Sequence, residues 1–221
     1  MRPKNHSLQT GGLPLWRTAA ALWLAACLAA HAQTPAAPTD GQGVPLAAIN
    51  QALAALAPQS GRFRQAVANG TAVSGSYHMD WPQRLRFAYD AGGPVITVKG
   101  KFIAIQDAPR QEPNWIPVSL TPLALIRRAV AQGISSAMLV TAQRGAAAGA
   151  GAYWALTLRD PAAAIDGEAT LFFTDKDYRL YAWRLVDTQN LITQISLSRI
   201  TYHSQLAARV FDVDYDEPEE D

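Results

Sequence analysis

Apolar and polar positions alternate through the middle of this chain. Between Gly75 and Asp107 it reads GSYHMDWPQRLRFAYDAGGPVITVKGKFIAIQD. Leu85, Phe87 and Tyr89 fall on one side, and Arg84, Arg86 and Ala88 on the other. Ile96 and Val98 form one pair in step, Ile103 and Ile105 another. Period-two patterning of this kind predicts strands with one apolar face and one wet face.

The same reading extends in both directions. Residues 45–57 (PLAAINQALAALA) predict a helix whose stripe is Leu46, Ile49, Leu53 and Leu56, with Pro45 near its start and Pro58 beyond its end. Strands follow at 62–68 and 71–80 around Asn69-Gly70, a two-residue hairpin turn suited to the twist of paired strands. Further strands are predicted at 83–89, 94–99 and 101–107. A short, proline-bracketed edge strand is predicted at 114–118. Residues 120–131 (LTPLALIRRAVA) predict a second helix, apolar at Leu123, Ile126 and Val130. Residues 134–141 fit a strand or a helix, and the Gly/Ala-rich stretch 143–151 reads as a loop. Strands resume at 153–159, 168–174, 179–187 and 191–202, separated by Asp-Pro, Asp-Lys-Asp and Asp-Thr-Gln-Asn turns. One helical turn at 205–209 and a closing strand at 210–213 complete the pattern.

Strands joined in succession by short turns make an antiparallel meander. Two helices do not cover both faces of such a sheet. The expected fold is α+β and mainly β. It is a strongly curved antiparallel sheet, an incomplete β-barrel, with one wet face and a few helices plugging its mouth. The gap between sheet and helices is the expected pocket. Trp81, Leu85, Phe87, Tyr89, Ile96, Val98, Ile103, Ile105, Leu123 and Ile126 are its candidate lining.

The first 32 residues change the count of what folds. Arg2, Lys4 and Arg17 precede an apolar run from Thr18 to Ala30, which ends in Ala30-His31-Ala32. This is the pattern of a secretory signal peptide, and the run is short for a membrane span. Residues 33–44 read as a flexible leader, 45–213 as one domain, and 214–221 as an acidic tail. Leu24-Ala25-Ala26-Cys27 also has the form of a lipobox. Cleavage after Ala32 leaves a soluble chain without cysteine, whereas lipidation of Cys27 leaves an anchored one.

Of 221 residues, 19 are Lys or Arg and 18 are Asp or Glu. Seven of those acids lie in the last ten positions, so the body is mildly basic ahead of an acidic end. Chemistry is sparse. His78 and His203 are the only histidines beyond the signal segment. Neither belongs to a nucleophile-elbow pattern or an HExxH motif. No catalytic site, metal site or cofactor is expected, and no nucleic-acid partner.

The order of elements and their local sequences resemble the LolA family of periplasmic lipoprotein carriers. Arg62 to Gln65 (RFRQ) is similar to the family's F-x-Q after the first helix. Gly75 to Tyr89 is similar to its G…P…R-[FW]-x-Y segment. Val98 to Asp107 (VKGKFIAIQD) is similar to its V-x-D-G-K strand pair, with Lys99 in place of the usual Asp. Leu120 to Leu125, Leu171 to Leu197 and Val210 to Asp212 are similar to its second helix start, its late strands and its final strand. The resemblance covers nearly all of the chain after the signal segment. It implies a half-open barrel that carries lipoprotein acyl chains across the periplasm as a monomer. It also implies an inner-membrane ABC transporter and an outer-membrane receptor as partners. A carrier or sensor for another lipid, or a LolB-like anchored receptor if Cys27 is lipidated, stands beside that expectation. One departure matters: the family usually has Arg before the Pro, where it helps latch the helices shut, and this chain has Trp81 before Pro82. Tryptophan cannot reproduce the bonds of a guanidinium.

Overall fold

The computed structural model describes residues 43–66, 72–108, 111–147, 151–213, 215 and 218. The signal segment, Cys27, most of the leader, the Asn69-Gly70 turn and most of the acidic tail lie outside the described residues. Helix α1 (Leu46–Ala54) leads into strands β1 (Gln59–Ala66), β2 (Ala72–Asp80), β3 (Arg84–Tyr89), β4 (Val95–Lys99), β5 (Phe102–Gln106) and β6 (Asn114–Pro117). A 3-10 turn at Val118–Leu120 opens α2 (Leu123–Gln132). Strands β7 (Leu139–Ala147), β8 (Gly151–Leu158), β9 (Glu168–Thr174), β10 (Leu180–Val186) and β11 (Ile192–Tyr202) follow, then a 3-10 turn at Ala208–Phe211.

All of these strands form one antiparallel sheet in the order β6-β5-β4-β3-β2-β1-β11-β10-β9-β8-β7. Strands β6 and β7 are its edges, so the sheet is not closed. The structure is thus the expected mainly β, incomplete barrel with helical cover. The β1–β11 pairing, which joins the two halves, runs from Gln59 opposite Tyr202 to Ala66 opposite Gln194.

Register carries the apolar alternation across the whole width. One row runs Ile116–Ile103–Val98–Leu85–Met79 from β6 to β2. Another runs Ile195–Trp183–Leu171–Leu156–Ala142 from β11 to β7. Directly opposed residues share a face, so these rows line a single inner wall.

That wall is strongly bent. Phe87 on β3 and Trp183 on β10 are four strand spacings apart, about 19 Å in a flat sheet, yet their ring centroids are 6.1 Å apart. Two glycines make room inside the bend. A Cβ on Gly75 would stand 2.4 Å from the Phe63 ring, and one on Gly61 would stand 2.9 Å from the Tyr77 ring. The Phe63 ring meets Phe87 at 4.7 Å and Tyr89 at 4.9 Å, both edge-on.

The helices lie within the concavity. Ile49 and Leu53 of α1, and Leu123, Leu125, Ile126 and Ala129 of α2, belong to the same buried cluster as the inner wall. Helix α2 stops at Gly133, whose φ of 82° suits glycine. Asn50 of α1 then clamps the chain beyond it. Its amide donates to the Ile134 carbonyl at 3.0 Å, and its oxygen accepts from the Ile134 N–H at 2.7 Å.

Three expectations are corrected. The 143–151 stretch is not a loop: it supplies most of β7 and the first residue of β8. Its Gly and Ala side chains give no alternation, but the backbone ladder from β8 extends onto them. The 134–141 stretch is neither one strand nor one helix, because turn bonds at Met138 and Leu139 precede β7. The predicted closing strand at 210–213 is also absent. Phe211 sits in a 3-10 turn and is fully buried against the outer face of β3 and β4, with Arg84 4.7 Å above its ring. Asp212 pairs there with Lys99 at 3.6 Å. The outer face is therefore not uniformly wet: Thr97, Phe102 and Ala104 on that side are buried.

Candidate functional site

The structure brings the ten sequence-derived candidates together on one surface and its cover. Leu85, Phe87, Val98 and Ile103 stand on the inner wall of β3–β5, buried. Trp81 follows β2 and packs edge-on against Trp183 at 6.4 Å. Leu123 and Ile126 face them from α2 within the same cluster. Tyr89, Ile96 and Ile105 belong to the same wall but are only partly buried. Ile96 lies directly opposite Phe87 and Ile105. The wall is thus sealed under the helices and opens toward its Tyr89–Ile96–Ile105 end.

The expected gap between sheet and helices is filled. Ile49, Leu53, Leu125 and Ile126 occupy it, each at most 2 % exposed. Two apolar surfaces in water close on one another, because an empty space would forfeit their contacts. Access to the wall then requires a helix to move.

Polar ties hold the helices in place. Arg127 of α2 donates from Nε to the Pro82 carbonyl at 2.8 Å, and from Nη1 to the Gly100 carbonyl at 2.6 Å. These carbonyls belong to the β2–β3 and β4–β5 turns, so one guanidinium fastens α2 across three strands. Burial draws the Arg127 pKa below its usual value, without threatening its charge. Arg128 donates to Asp160 at 2.6 Å. Asp160 also accepts from the N–H groups of Ala162, Ala164 and Ile165. Burial opposes ionisation of Asp160, but these donors, Arg128 foremost, hold its pKa below the usual carboxylate range.

Neither Arg127 nor Asn50 was singled out from the sequence. The polar side of 120–131 showed an exposed helix face, and nothing in it named the carbonyls of Pro82 and Gly100. The Trp81 departure is answered here: the guanidinium that binds turn carbonyls comes from the helix, while Trp81 fills apolar space on the wall.

Electrostatics at the wall are quiet. Burial pushes the Tyr89 phenol up to about 12, and its O–H donates to Gln65. The Trp81 indole N–H, the Tyr77 hydroxyl and the Gln59 amide are buried without a hydrogen-bond partner. Two hollows open outside the packed interior. One, of about 440 Å³, lies among the β8–β9 and β10–β11 connections, beside Asp160, Gly167 and Asp187. The other, of about 370 Å³, lies at the C-terminal end of α1 beside Leu56, Tyr178 and Tyr202. Among the described residues no helix is long and apolar enough to cross a membrane.

The sequence matches the model of the family described as outer membrane lipoprotein carrier protein LolA, over residues 56–214. No curated protein is matched. Among solved structures it is similar to a LolA superfamily protein from Nitrosomonas europaea. That likeness has 11 % identity and a TM-score of 0.42, and covers 78 % of this chain and 100 % of that one. It is similar to a putative outer membrane lipoprotein-sorting protein domain from Vibrio parahaemolyticus, at 7 % identity and TM-score 0.45, covering 76 % and 94 %. It is also similar to a chain of the Pseudomonas aeruginosa MucA/MucB complex, at 11 % identity and TM-score 0.40, covering 76 % and 59 %.

Proposed function

The chain belongs to the LolA family of outer membrane lipoprotein carriers, and from that premise we propose that it carries the acyl chains of lipoproteins through the periplasm. Export rests on the signal-peptide pattern of residues 1–32. Cargo arrives from an inner-membrane ABC transporter and leaves to an outer-membrane receptor. The acyl chains lie along the inner wall, against Trp81, Leu85, Phe87, Val98 and Ile103, once Leu123 and Ile126 of α2 swing away. Tyr89, Ile96 and Ile105 form the entry. The protein acts without catalysis.

One observation carries this reading: an unbroken apolar wall on an unclosed sheet, covered by two short helices that polar ties fasten at their margins. A helix packed only for stability needs no such wall to close upon. A flap needs an apolar surface to cover and bonds that can be remade.

Energetics restrict the mechanism. Burying one methylene from water contributes ~0.8 kcal/mol. Three chains of roughly 15 methylenes would then gain about 36 kcal/mol, beyond the roughly 18–21 kcal/mol at which non-covalent affinities saturate. Transfer therefore runs from one protein's apolar surface to another's, where little area changes hands with water. Closing the empty wall with Ile49, Leu53, Leu125 and Ile126 lowers the affinity further, because cargo must displace them. A carrier that has to let go benefits from that competition.

The test is displacement. The mature chain is loaded with a fluorescent acyl probe, and an N-terminally acylated peptide or the same peptide without acyl chains is added. Displacement by the acylated peptide alone supports carriage. A chain that binds no probe, or releases it equally to both peptides, refutes it.

A further inference from the structure

The hollow at the C-terminal end of α1 has a composition that apolar packing does not explain. Its volume of about 370 Å³ is within the range of small-ligand pockets. Leu53, Leu56 and Leu180 give it an apolar floor, while Tyr178, Arg179 and Tyr202 form a more polar rim. Tyr178 holds a positive φ of 49° there.

Two unpaired polar groups stand behind this floor. Gln59 is the first residue of β1, directly after the helix–strand connection that lines the hollow. It lies opposite Tyr202 on one side and Met79 on the other. It is 1 % exposed, and its Nε2 has no partner. Tyr77 is two residues from Met79 on the same face, a diagonal neighbour of Gln59 at about 7–8 Å between backbones. Its side chain is completely buried and its hydroxyl is also unpaired. Tyr202 and Arg179, both on the rim, are the charges this phenol senses. Buried polar groups almost always find partners, so two unpaired ones side by side point to something that completes them.

Both groups can donate: an amide N–H and a phenol O–H. What completes them is an acceptor with two lone pairs. A methylene chain on the floor with a carbonyl at its inner end meets both demands at once. From this arrangement we infer that the hollow binds the carbonyl end of an acyl chain, the ester or amide linkage accepting from Gln59 and Tyr77 while the attached head group passes the Tyr178–Arg179–Tyr202 rim to solvent. The inference rests on the lipid-carrier reading. It adds that the protein selects acyl esters and amides over hydrocarbon of equal length.

The test compares two fluorescent probes of one chain length, a hexadecanoyl ester and the hexadecyl ether lacking only the carbonyl. The mature chain should bind the ester about tenfold tighter. Tyr77→Phe and Gln59→Leu should each remove most of that preference by weakening ester binding, with ether binding held. Without probe, Tyr77→Phe should melt at the same temperature as the parent or above it, since it deletes an unpaired buried hydroxyl. Equal affinity of the parent for the two probes overturns the inference. So does a preference that survives both substitutions, or a Tyr77→Phe chain that melts well below the parent, which would show that bound water already completes the hydroxyl. A parent that binds neither probe overturns the carrier reading as well, and so marks that failure apart.

Discussion

Replacing Arg127 with methionine removes a guanidinium and keeps an unbranched stem that still covers the wall. Two hydrogen bonds are lost, at 2.8 Å to the Pro82 carbonyl and 2.6 Å to the Gly100 carbonyl. A bond to a charged donor is worth roughly 1.5–3 kcal/mol. Arg127 is only half-buried, so each is discounted to about 1 kcal/mol. Both carbonyls sit in turns and can rotate to water, so no buried acceptor is stranded. The loss is then about 2 kcal/mol, felt by the closed position of α2 and not by the strand ladder. At 1.4 kcal/mol per factor of ten, the open population rises roughly thirtyfold. Native-state hydrogen exchange reads this directly. Amides of α2 between Ile126 and Gln132 should exchange about thirtyfold faster, while those of β8, β9 and β10 keep the parental rate. Apolar-probe association should accelerate in parallel. Uniform acceleration across the sheet would mean that Arg127 stabilises the whole fold and that α2 is no separate flap. Unchanged exchange in α2 would mean that the two bonds do not hold it.

Other outcomes follow from the same geometry. Ile96→Glu or Ile105→Glu places a carboxylate on the partly buried end of the wall; acyl-probe affinity should fall about tenfold with the far-UV spectrum intact, and retained affinity would place the entry elsewhere. Phe211→Ala empties the fully buried site on the outer face. It should cost about 3 kcal/mol and lower the melting midpoint by about 10 °C, yet leave probe affinity in the folded chain unchanged, because that face is not the binding wall. Burial, followed by Arg86 and His203, holds the His78 imidazole below its ordinary value. The folded chain therefore takes up this proton less readily than the unfolded one. Stability is full above about pH 6.5 and declines as pH falls through that value. Denaturant titrations at pH 7.5 and 5.5 should show a loss that His78→Gln reduces, and an equal loss in the variant would contradict the assignment.

The strands were legible where one face is apolar and the other charged. Arg84 to Tyr89 alternates in sequence and in burial, and its partners on β4 and β5 follow in register. The bend was legible only as a necessity, since the Gly61 and Gly75 positions that admit Tyr77 and Phe63 look like any strand glycines until partners are known. Strand β7 was not legible, because its Gly and Ala positions carry no period. It is held by the β8 ladder and by Arg144, which bonds Asp175 at 2.7 Å and 2.6 Å across the β9–β10 turn. Phe211 was misread because a Val-Phe-Asp stretch fits a strand as well as a plug, and only the apolar patch at Phe102 and Ala104 selects the plug. The candidate lining was recovered as one surface because period two fixes faces. The ties of Arg127 and Asn50 were not, because a side chain reaching a distant carbonyl leaves no mark in local sequence. The filled gap was missed for a related reason: helix stripes show which face is apolar, but not whether it rests on the wall or stands off it.

The direct test of the central claim is to map where an acyl chain lies. A phospholipid analogue with a photoreactive group on its acyl chain is bound to the mature protein and activated, and the labelled residues are identified by mass spectrometry. The inner-wall account predicts labels on Leu85, Phe87, Val98 and Ile103 and on the facing side of α2. Labels confined to the outer face, at Phe102, Ala104 or Phe211, with the inner wall untouched, would contradict it.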